Sequence, residues 1–121
     1  MITFEDDRRT RAEQRVIASL LKSAKMIRHC AQLTPRDFSH ELHGMAYRAI
    51  VQLIERGECV SALTVCHEIV RLRAQRYRGY RVHVPHGRAP DLGYLMSLET
   101  GGAVPSNVGY YAAVMLEGVK P

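Results

Sequence analysis

The sequence predicts an all-α domain, a compact bundle of about six helices joined by short loops. Apolar residues recur at spacings of three and four along most of the chain, which is typical of amphipathic helices. Only residues 80–84 (YRVHV) alternate as a strand does, and they would form at most one arm of a small hairpin. With 121 residues, 46% of them hydrophobic, the chain has the length for one domain that buries about two-thirds of its unfolded surface.

The first two helices are expected before residue 32. Thr10 and Glu13 form a candidate capping box, which predicts a helix start near Arg11. The buried side of this helix would consist of Val16, Ile17, Leu20 and Leu21. A second, short helix is predicted over residues 24–31, with Ile27 facing inward.

Two well-capped helices follow a single turn that Thr34 and Pro35 are predicted to open. Ser39 is the predicted N-cap of the first helix, and Gly57 ends it because glycine takes the left-handed conformation without steric cost. Seven apolar residues share one face of this helix: Leu42, Met45, Ala46, Ala49, Ile50, Leu53 and Ile54. Ser61 is predicted to cap the next helix, whose buried residues would be Val65, Ile69 and Leu72.

Two further helices are predicted near the end of the chain. The first covers residues 92–98 and the second covers residues 107–117. The inner side of the last helix would consist of Val108, Tyr111, Ala112, Met115 and Leu116.

An arginine-rich stretch between residues 71 and 88 is the strongest candidate for a binding site. It holds six of the 17 basic residues, and the other 11 are offset by 12 acidic ones, so all of the positive excess lies here. The candidate residues are Arg71, Arg73, Arg76, Tyr77, Arg78, Tyr80, Arg81 and Arg88. Arginine forms planar, bidentate contacts with phosphate or carboxylate, and tyrosine can stack on bases. The stretch therefore predicts an anchor for nucleic acid or an acidic protein surface, with a solvated helix end and loop as the alternative.

Catalytic and metal sites are not indicated. His43 lies beside the apolar stripe, but spacing places no serine, cysteine or carboxylate to work with it. The three cysteines have unrelated spacings and no paired CxxC pattern, which argues against a disulfide framework and against zinc. We expect no cofactor and no metal.

Several short motifs occur in a particular order along the chain. They are Ala12-Glu13-Gln14, then Leu33-Thr34-Pro35 with Asp37-Phe38, then His43 with Tyr47, then Glu55-Arg56-Gly57-Glu58 with Thr64-Val65, and finally Tyr94-Leu95 with Pro105-Ser106-Asn107. In this order they resemble the N-terminal domain of DnaB-type replicative DNA helicases. The resemblance covers about residues 10–117. Roughly ten extra, unusually basic residues precede Tyr94, and Ser61 stands where the family usually has aspartate.

The resemblance implies a role in DNA replication through protein contacts. In that family the domain forms a collar on the helicase ring, pairs with its own copies and receives the helicase-binding domain of primase. We therefore expect a module that binds replicative helicase, primase or a helicase loader and self-associates, most simply as a homodimer. The family's RecA-like ATPase needs a GxxxxGK[ST] phosphate loop, which this sequence lacks, so no catalysis is expected. The alternative is a small nucleic-acid-binding or regulatory protein that uses the arginine-rich stretch.

The expected organisation is a disordered tail at 1–9, a helical domain at 10–118 with a basic insertion at 71–90, and a short tail at 119–121. The N-terminus has no apolar signal core, and no apolar run approaches the ~20 residues that span a bilayer. These observations predict a cytoplasmic protein without a membrane segment.

Overall fold

The computed structural model describes Phe4 and residues 7–76 and 90–117; at positions 75, 76, 90 and 91 it describes the backbone alone. These residues form five α-helices: α1 (Arg8–Lys22), α2 (Glu41–Glu55), α3 (Ala62–Arg76), α4 (Pro90–Glu99) and α5 (Val108–Met115). Three 3-10 helices accompany them: Ala24–Cys30, Pro35–Asp37 and Pro105–Asn107. The prediction of an all-α bundle is confirmed, and the described residues contain no strand. The hairpin arm predicted at residues 80–84 lies outside the described residues.

Helix α1 lies at the centre of the bundle. It packs against α5, α4 and α2, while α3 packs against α2 and α4. The predicted inner residues of α1 are all buried, and they belong to the same core as Ile50, Ile69, Leu95 and Met115 from the other four helices. One apolar core therefore holds all five helices.

The start of α1 differs from the prediction. The helix begins at Arg8, where the carboxylate of Asp7 accepts a hydrogen bond from the Thr10 N–H at 2.7 Å. The predicted capping box of Thr10 and Glu13 is wrong because Glu13 is fully buried and bonds to distant residues instead. Of the predicted tail, residues 1–3, 5 and 6 lie outside the described residues.

The prediction for helix α2 is correct at its C-terminus and wrong at its N-terminus. At its C-terminus Gly57 has φ of 70°, as predicted, and the N–H of Glu58 bonds to the Leu53 carbonyl at 2.9 Å. At its N-terminus the predicted Ser39 cap is wrong, since the helix begins at Glu41 with His40 in the cap position. Ser39 donates its hydrogen bonds to Glu13.

Ser61 caps α3 as predicted. Its hydroxyl accepts from the Thr64 N–H at 3.2 Å, and the Thr64 hydroxyl accepts from the Ser61 N–H at 2.9 Å. The N–H of Ala62 also donates to the Glu99 carboxylate at 2.9 Å, which joins the start of α3 to the end of α4. Val65, Ile69 and Leu72 are buried as predicted.

The remaining predicted elements are present with small differences. The predicted helix at 24–31 is a 3-10 helix, and the last helix begins at Val108 after a separate 3-10 turn. The single turn at Pro35–Asp37 packs so closely on α2 that a Cβ at Gly44 would lie 2.8 Å from the Pro35 carbonyl oxygen. Only glycine fits at this contact.

Candidate functional site

A buried carboxylate connects the helices on the inner side of α1. Glu13 is fully buried, and its Oε2 accepts hydrogen bonds from the Ser39 N–H at 2.8 Å and the Ser39 hydroxyl at 2.5 Å. Its Oε1 lies 2.9 Å from Nδ1 of His43, which is also fully buried. The charge of Glu13 is thus compensated inside the protein.

The chain of hydrogen bonds continues to α4. His43 Nε2 lies 2.7 Å from the Tyr94 hydroxyl, which accepts from the Gln14 side-chain amide at 2.9 Å. A carboxylate only accepts hydrogen bonds, so Nδ1 of His43 donates to Glu13. In a neutral imidazole Nε2 then accepts from the Tyr94 O–H, and each group in the chain is satisfied. We call Glu13, Ser39, His43, Tyr94 and Gln14 the polar network.

The electrostatics follow from these contacts. Burial alone would raise the pKa of Glu13, but the hydrogen bonds from His43 and Ser39 outweigh it and hold that pKa below the ordinary value. Burial raises the pKa of Tyr94 to about 12. The Arg9 guanidinium adds an ion pair to Glu13 at 3.5 Å. The phenol therefore stays protonated and the carboxylate ionised at neutral pH.

This arrangement stabilises the fold and is not set up for catalysis. The sequence spacing did not predict a carboxylate partner for His43. In the structure Glu13, which lies 30 positions earlier in the chain, is hydrogen-bonded to it. Both ring nitrogens are occupied, and the Ser39 hydroxyl donates to the carboxylate. Phe4 also packs its ring 4.6 Å from that of His43 and 5.0 Å from that of Tyr94. A general base needs a nitrogen that a substrate proton can reach, and His43 offers none.

The outer side of α1 is uniformly basic. Its exposed residues are Arg8, Arg11, Arg15 and Lys22, at helical offsets of 0, 3, 7 and 14 that place them on one side; we call this set the α1 basic face. Arg8 pairs with Glu117 at 2.9 Å, and the Arg15 guanidinium lies 5.8 Å from the centre of the Tyr111 ring. Lys22 donates to the carbonyls of Gly101 and Ala103. The sequence analysis did not find this face, although the spacing of its arginines was visible.

Two grooves flank the middle of this face. One, of about 200 Å³, lies toward α5 and is lined by Arg8, Arg11, Ala12, Arg15, Tyr110, Tyr111 and Val114. The other, of about 320 Å³, lies toward α4 and the loop after it, and is lined by Arg11, Gln14, Arg15, Ala18, Ser97, Leu98, Gly101, Gly102 and Ala103. Arg11 and Arg15 border both grooves, and no acidic side chain lines either of them within the described chain.

A third, more apolar groove lies between α2 and the first two 3-10 helices. Its volume is about 520 Å³, and its lining is Ile27, Ala31, Leu33, Thr34, Pro35, Tyr47, Arg48, Val51, Gln52 and Glu55. Tyr47 forms part of its floor and bonds to the carbonyls of Cys30 and Leu33, both at 3.2 Å. We call it the α2 groove.

The predicted arginine-rich site is described only in part. Arg71 is exposed on α3 with its Nε 3.4 Å from Glu68, and Arg73 is half-buried on the same helix. Arg76 ends α3, and only its backbone is described. Tyr77, Arg78, Tyr80, Arg81 and Arg88 lie outside the described residues, so binding by this stretch stays a prediction.

Other predicted features can be located briefly. Cys30 and Cys66 are buried and Cys59 is exposed, and burial raises the pKa of the Cys30 thiol to about 11. Among residues 7–76 and 90–117, no group of three or more histidine, cysteine or acidic side chains could hold a metal ion. No helix in that part of the chain has the length and apolar character to cross a membrane.

Comparisons with known proteins agree with the fold. The chain is 35% identical over 107 residues to the replicative DNA helicase DnaB of Mycobacterium leprae, which covers 88% of this chain and 16% of that protein. It is 32% identical over 106 residues to DnaB of Rhodothermus marinus, covering 87% of this chain and 10% of that protein. The chain thus spans between a tenth and a sixth of the length of these relatives.

The structural comparison identifies the matching part. The crystal structure of the N-terminal domain of DnaB helicase from Mycobacterium tuberculosis superposes with a TM-score of 0.67 at 34% identity, covering 88% of this chain and 70% of that one. The sequence profile of the DnaB-like helicase N-terminal domain matches residues 5–117. The chain belongs to the family of DnaB-like helicase N-terminal domains.

Proposed function

We propose that this domain is a protein-interaction module of DNA replication, without catalysis of its own, that binds replicative helicase, primase or a helicase loader. The observation that carries the proposal is the match of residues 5–117 to the N-terminal domain of DnaB helicases. The saturated hydrogen bonds of His43 support the non-catalytic part, because the most deeply buried histidine is committed to the fold.

The α2 groove is the surface we assign to the partner. Its apolar lining, with Ile27, Leu33 and Val51, would bury an apolar segment, while Arg48 and Glu55 at the side would give that segment polar contacts. The hydrogen bonds of Tyr47 to two carbonyls fix the floor of the groove. A preformed site of this kind costs little conformational entropy when a partner binds.

The test is a binding titration with purified replicative helicase, primase and loader from the organism that encodes this chain. Val51→Glu places a charge in the groove and should weaken the complex at least about tenfold, a loss of about 1.4 kcal/mol. Ala113→Glu, at an exposed position on α5 that does not line this groove, adds the same charge elsewhere and should bind as the wild type does. If none of the three proteins binds the wild-type domain, the proposed function is wrong.

Self-association is the second part of the proposed function. Two large apolar side chains that could contribute to a contact between copies are Leu63 and Met96, which are 51% and 52% exposed. They lie on α3 and α4, next to the hydrogen bond between Ala62 and Glu99. Light scattering across a range of protein concentrations should show a dimer, most simply with two-fold symmetry. The double change Leu63→Glu and Met96→Glu should shift it toward monomer, and monomer mass at all concentrations of wild type would contradict this part.

A further inference from the structure

The α2 groove carries one charge of each sign, and neither is neutralised within the described chain. Arg48 and Glu55 both line the groove, and both are exposed. In the part of the chain that the structure describes, neither side chain makes an ion pair or a hydrogen bond. Arg56 shows the contrast, because its guanidinium pairs with Glu58 at 2.7 Å and with Glu68 at 2.5 Å. The two charges in the groove are therefore available to a partner.

The two charges lie two turns apart on one side of α2. They are seven positions apart in the helix, which corresponds to about 10 Å along its axis. Val51 lies between them and is partly buried, and the wall opposite α2 contributes Ile27 and Leu33. A ligand that lies along α2 thus meets a cation, an apolar middle and an anion, in that order.

The backbone opposite α2 is already engaged in hydrogen bonds at Leu33 and Thr34. The N–H of Leu33 donates to the Cys30 carbonyl at 2.9 Å. The N–H of Thr34 donates to the Asp37 carboxylate at 2.7 Å, and the Leu33 carbonyl accepts from the Tyr47 hydroxyl. An extended peptide binds by pairing its backbone with groups of this kind. The groove therefore favours a ligand that satisfies its own backbone, as a helix does.

We infer that the α2 groove takes an amphipathic helix of the partner that lies along α2. A carboxylate at position i of that helix pairs with Arg48, apolar side chains at i+3 and i+4 enter the groove, and a lysine or arginine at i+7 pairs with Glu55. Two helices packed side by side have the same rise per residue, so both ion pairs form together. The inference rests on the proposed function, which assigns this groove to the partner, and it adds the secondary structure and charge pattern of what binds there.

The two ion pairs select the partner helix, while the apolar contacts supply most of the affinity. Exposed ion pairs contribute little attraction, but like charges placed opposite each other reject a wrong helix. A charge exchange on one side should therefore be reversed by the complementary exchange on the other.

The probe is a synthetic, fluorescently labelled peptide of about 18 residues, which is long enough to form a helix. It carries two adjacent leucines, with glutamate three positions before the first and lysine three positions after the second. Its binding to the full chain is measured by fluorescence anisotropy. Glu55→Lys should weaken this binding at least about threefold. A peptide with glutamate at both charged positions should bind Glu55→Lys at least about threefold more tightly than it binds the wild type.

The opposite exchange and two controls complete the experiment. Arg48→Glu should prefer a peptide with lysine at both charged positions by a similar factor. Arg15→Glu reverses an exposed arginine that does not line the α2 groove, and it should bind within about twofold of the wild type. A peptide with proline directly after the second leucine keeps the apolar and charged side chains but breaks the helix, and should bind at least about tenfold more weakly. Melting temperatures establish that all variants are folded.

Three results would overturn the inference. One is a wild-type chain that binds none of the peptides. Another is binding that ignores the charge exchanges, or that responds to them no more than to Arg15→Glu. The third is a proline peptide that binds as well as the helical one, which would assign the groove to an extended ligand.

Failure of the proposed function is distinguishable from these results. It fails when none of the helicase, primase and loader binds the wild-type domain, whatever the peptides do. When one of them binds and Val51→Glu weakens the complex but Arg48→Glu and Glu55→Lys do not, the proposed function stands and the charge pattern inferred for the partner is wrong.

Discussion

The two sides of α1 use charge in opposite ways. On the inner side Glu13 is fully buried, and its carboxylate bonds to Ser39 and His43. On the outer side Arg11 and Arg15 lie exposed between two grooves, whose described lining residues include no acid. The inner charge determines how the helices meet, whereas the outer charges lie on the surface of the domain.

This difference shows why counting charge along the sequence is misleading. The chain outside residues 71–88 is nearly neutral in total, and this suggested that the positive excess lies only in that stretch. The count treats Glu13 as equal to any surface acid, although it faces the core and cannot screen the arginines beyond it. An exposed charge can interact with a ligand, whereas a buried charge such as that of Glu13 cannot.

The largest expected loss of stability comes from removing the buried charge of Glu13. Glu13→Ala leaves His43 and the Ser39 N–H without their acceptor in a buried site, and it removes the ion pair with Arg9. We expect a loss of about 3–5 kcal/mol in the free energy of unfolding, measured by urea denaturation. Glu55→Ala removes an exposed acid from α2 and should change that free energy by less than about 0.5 kcal/mol. Equal effects of the two changes would contradict the contrast between buried and exposed charge.

The next largest loss of stability should come from lowering the pH, because it protonates Glu13 on the inner side of α1. The pKa of Glu13 is lowered in the folded protein from an ordinary value of 4.5, so the unfolded chain binds a proton more readily there. The stabilisation is complete above about pH 4.5 and is lost as pH falls through the lower, folded-state pKa. Denaturation curves between pH 7 and pH 2.5 should show this loss in the wild type. Glu13→Gln should have a shallower acid dependence, and identical slopes would show that Glu13 does not titrate as argued.

A smaller effect is expected at the far end of the polar network. Tyr94→Phe removes the hydroxyl that bonds to His43 and Gln14 but keeps the ring that packs against Phe4. We expect a loss of about 1 kcal/mol, with the helical content unchanged. Tyr110→Phe, which removes a hydroxyl from an exposed ring, is the control and should cost less. A Tyr94→Phe protein as stable as wild type would show that the network ends at His43.

The smallest effect on stability should come from the outer side. Arg11→Gln with Arg15→Gln removes two exposed cations from one face of a helix, so their mutual repulsion disappears along with the Arg15–Tyr111 contact. We expect the melting temperature to move by only a few degrees in either direction. A loss of several kcal/mol would mean that these arginines hold the fold together.

The sequence predicted those features whose causes are local. Gly57 ends α2 and Ser61 caps α3 because each acts on backbone groups within a few positions of itself. Ser39 and Glu13 were assigned local caps by the same rules, and both assignments were wrong. The two side chains are hydrogen-bonded to each other although they lie 26 positions apart in the sequence. The spacing of residues along one helix does not predict a partner so far away.

The candidate sites also differ in whether the sequence alone could have predicted them. The pattern at Arg8, Arg11 and Arg15 could have been recognised from helical spacing alone, once the helix start had been placed at Arg8. The α2 groove could not, because its walls come from α2 and from two 3-10 segments whose packing depends on Gly44 and Tyr47. Concave surfaces arise from tertiary packing, which periodicity does not specify.

The anchoring of α4 has a consequence for how the chain between α3 and α4 can vary in length. Tyr94 fixes α4 to α1 and α2 through the polar network, and Glu99 fixes its other end to the start of α3. Ile69 and Leu72 are buried in the core and hold the later part of α3. Both helices that flank the connection are therefore held independently of what lies between them. Closing a longer connection costs only about 0.6 kcal/mol for each doubling of its length. The junction after Arg76 is thus a position where the domain can accept inserted sequence and acquire a new surface while its core stays as it is.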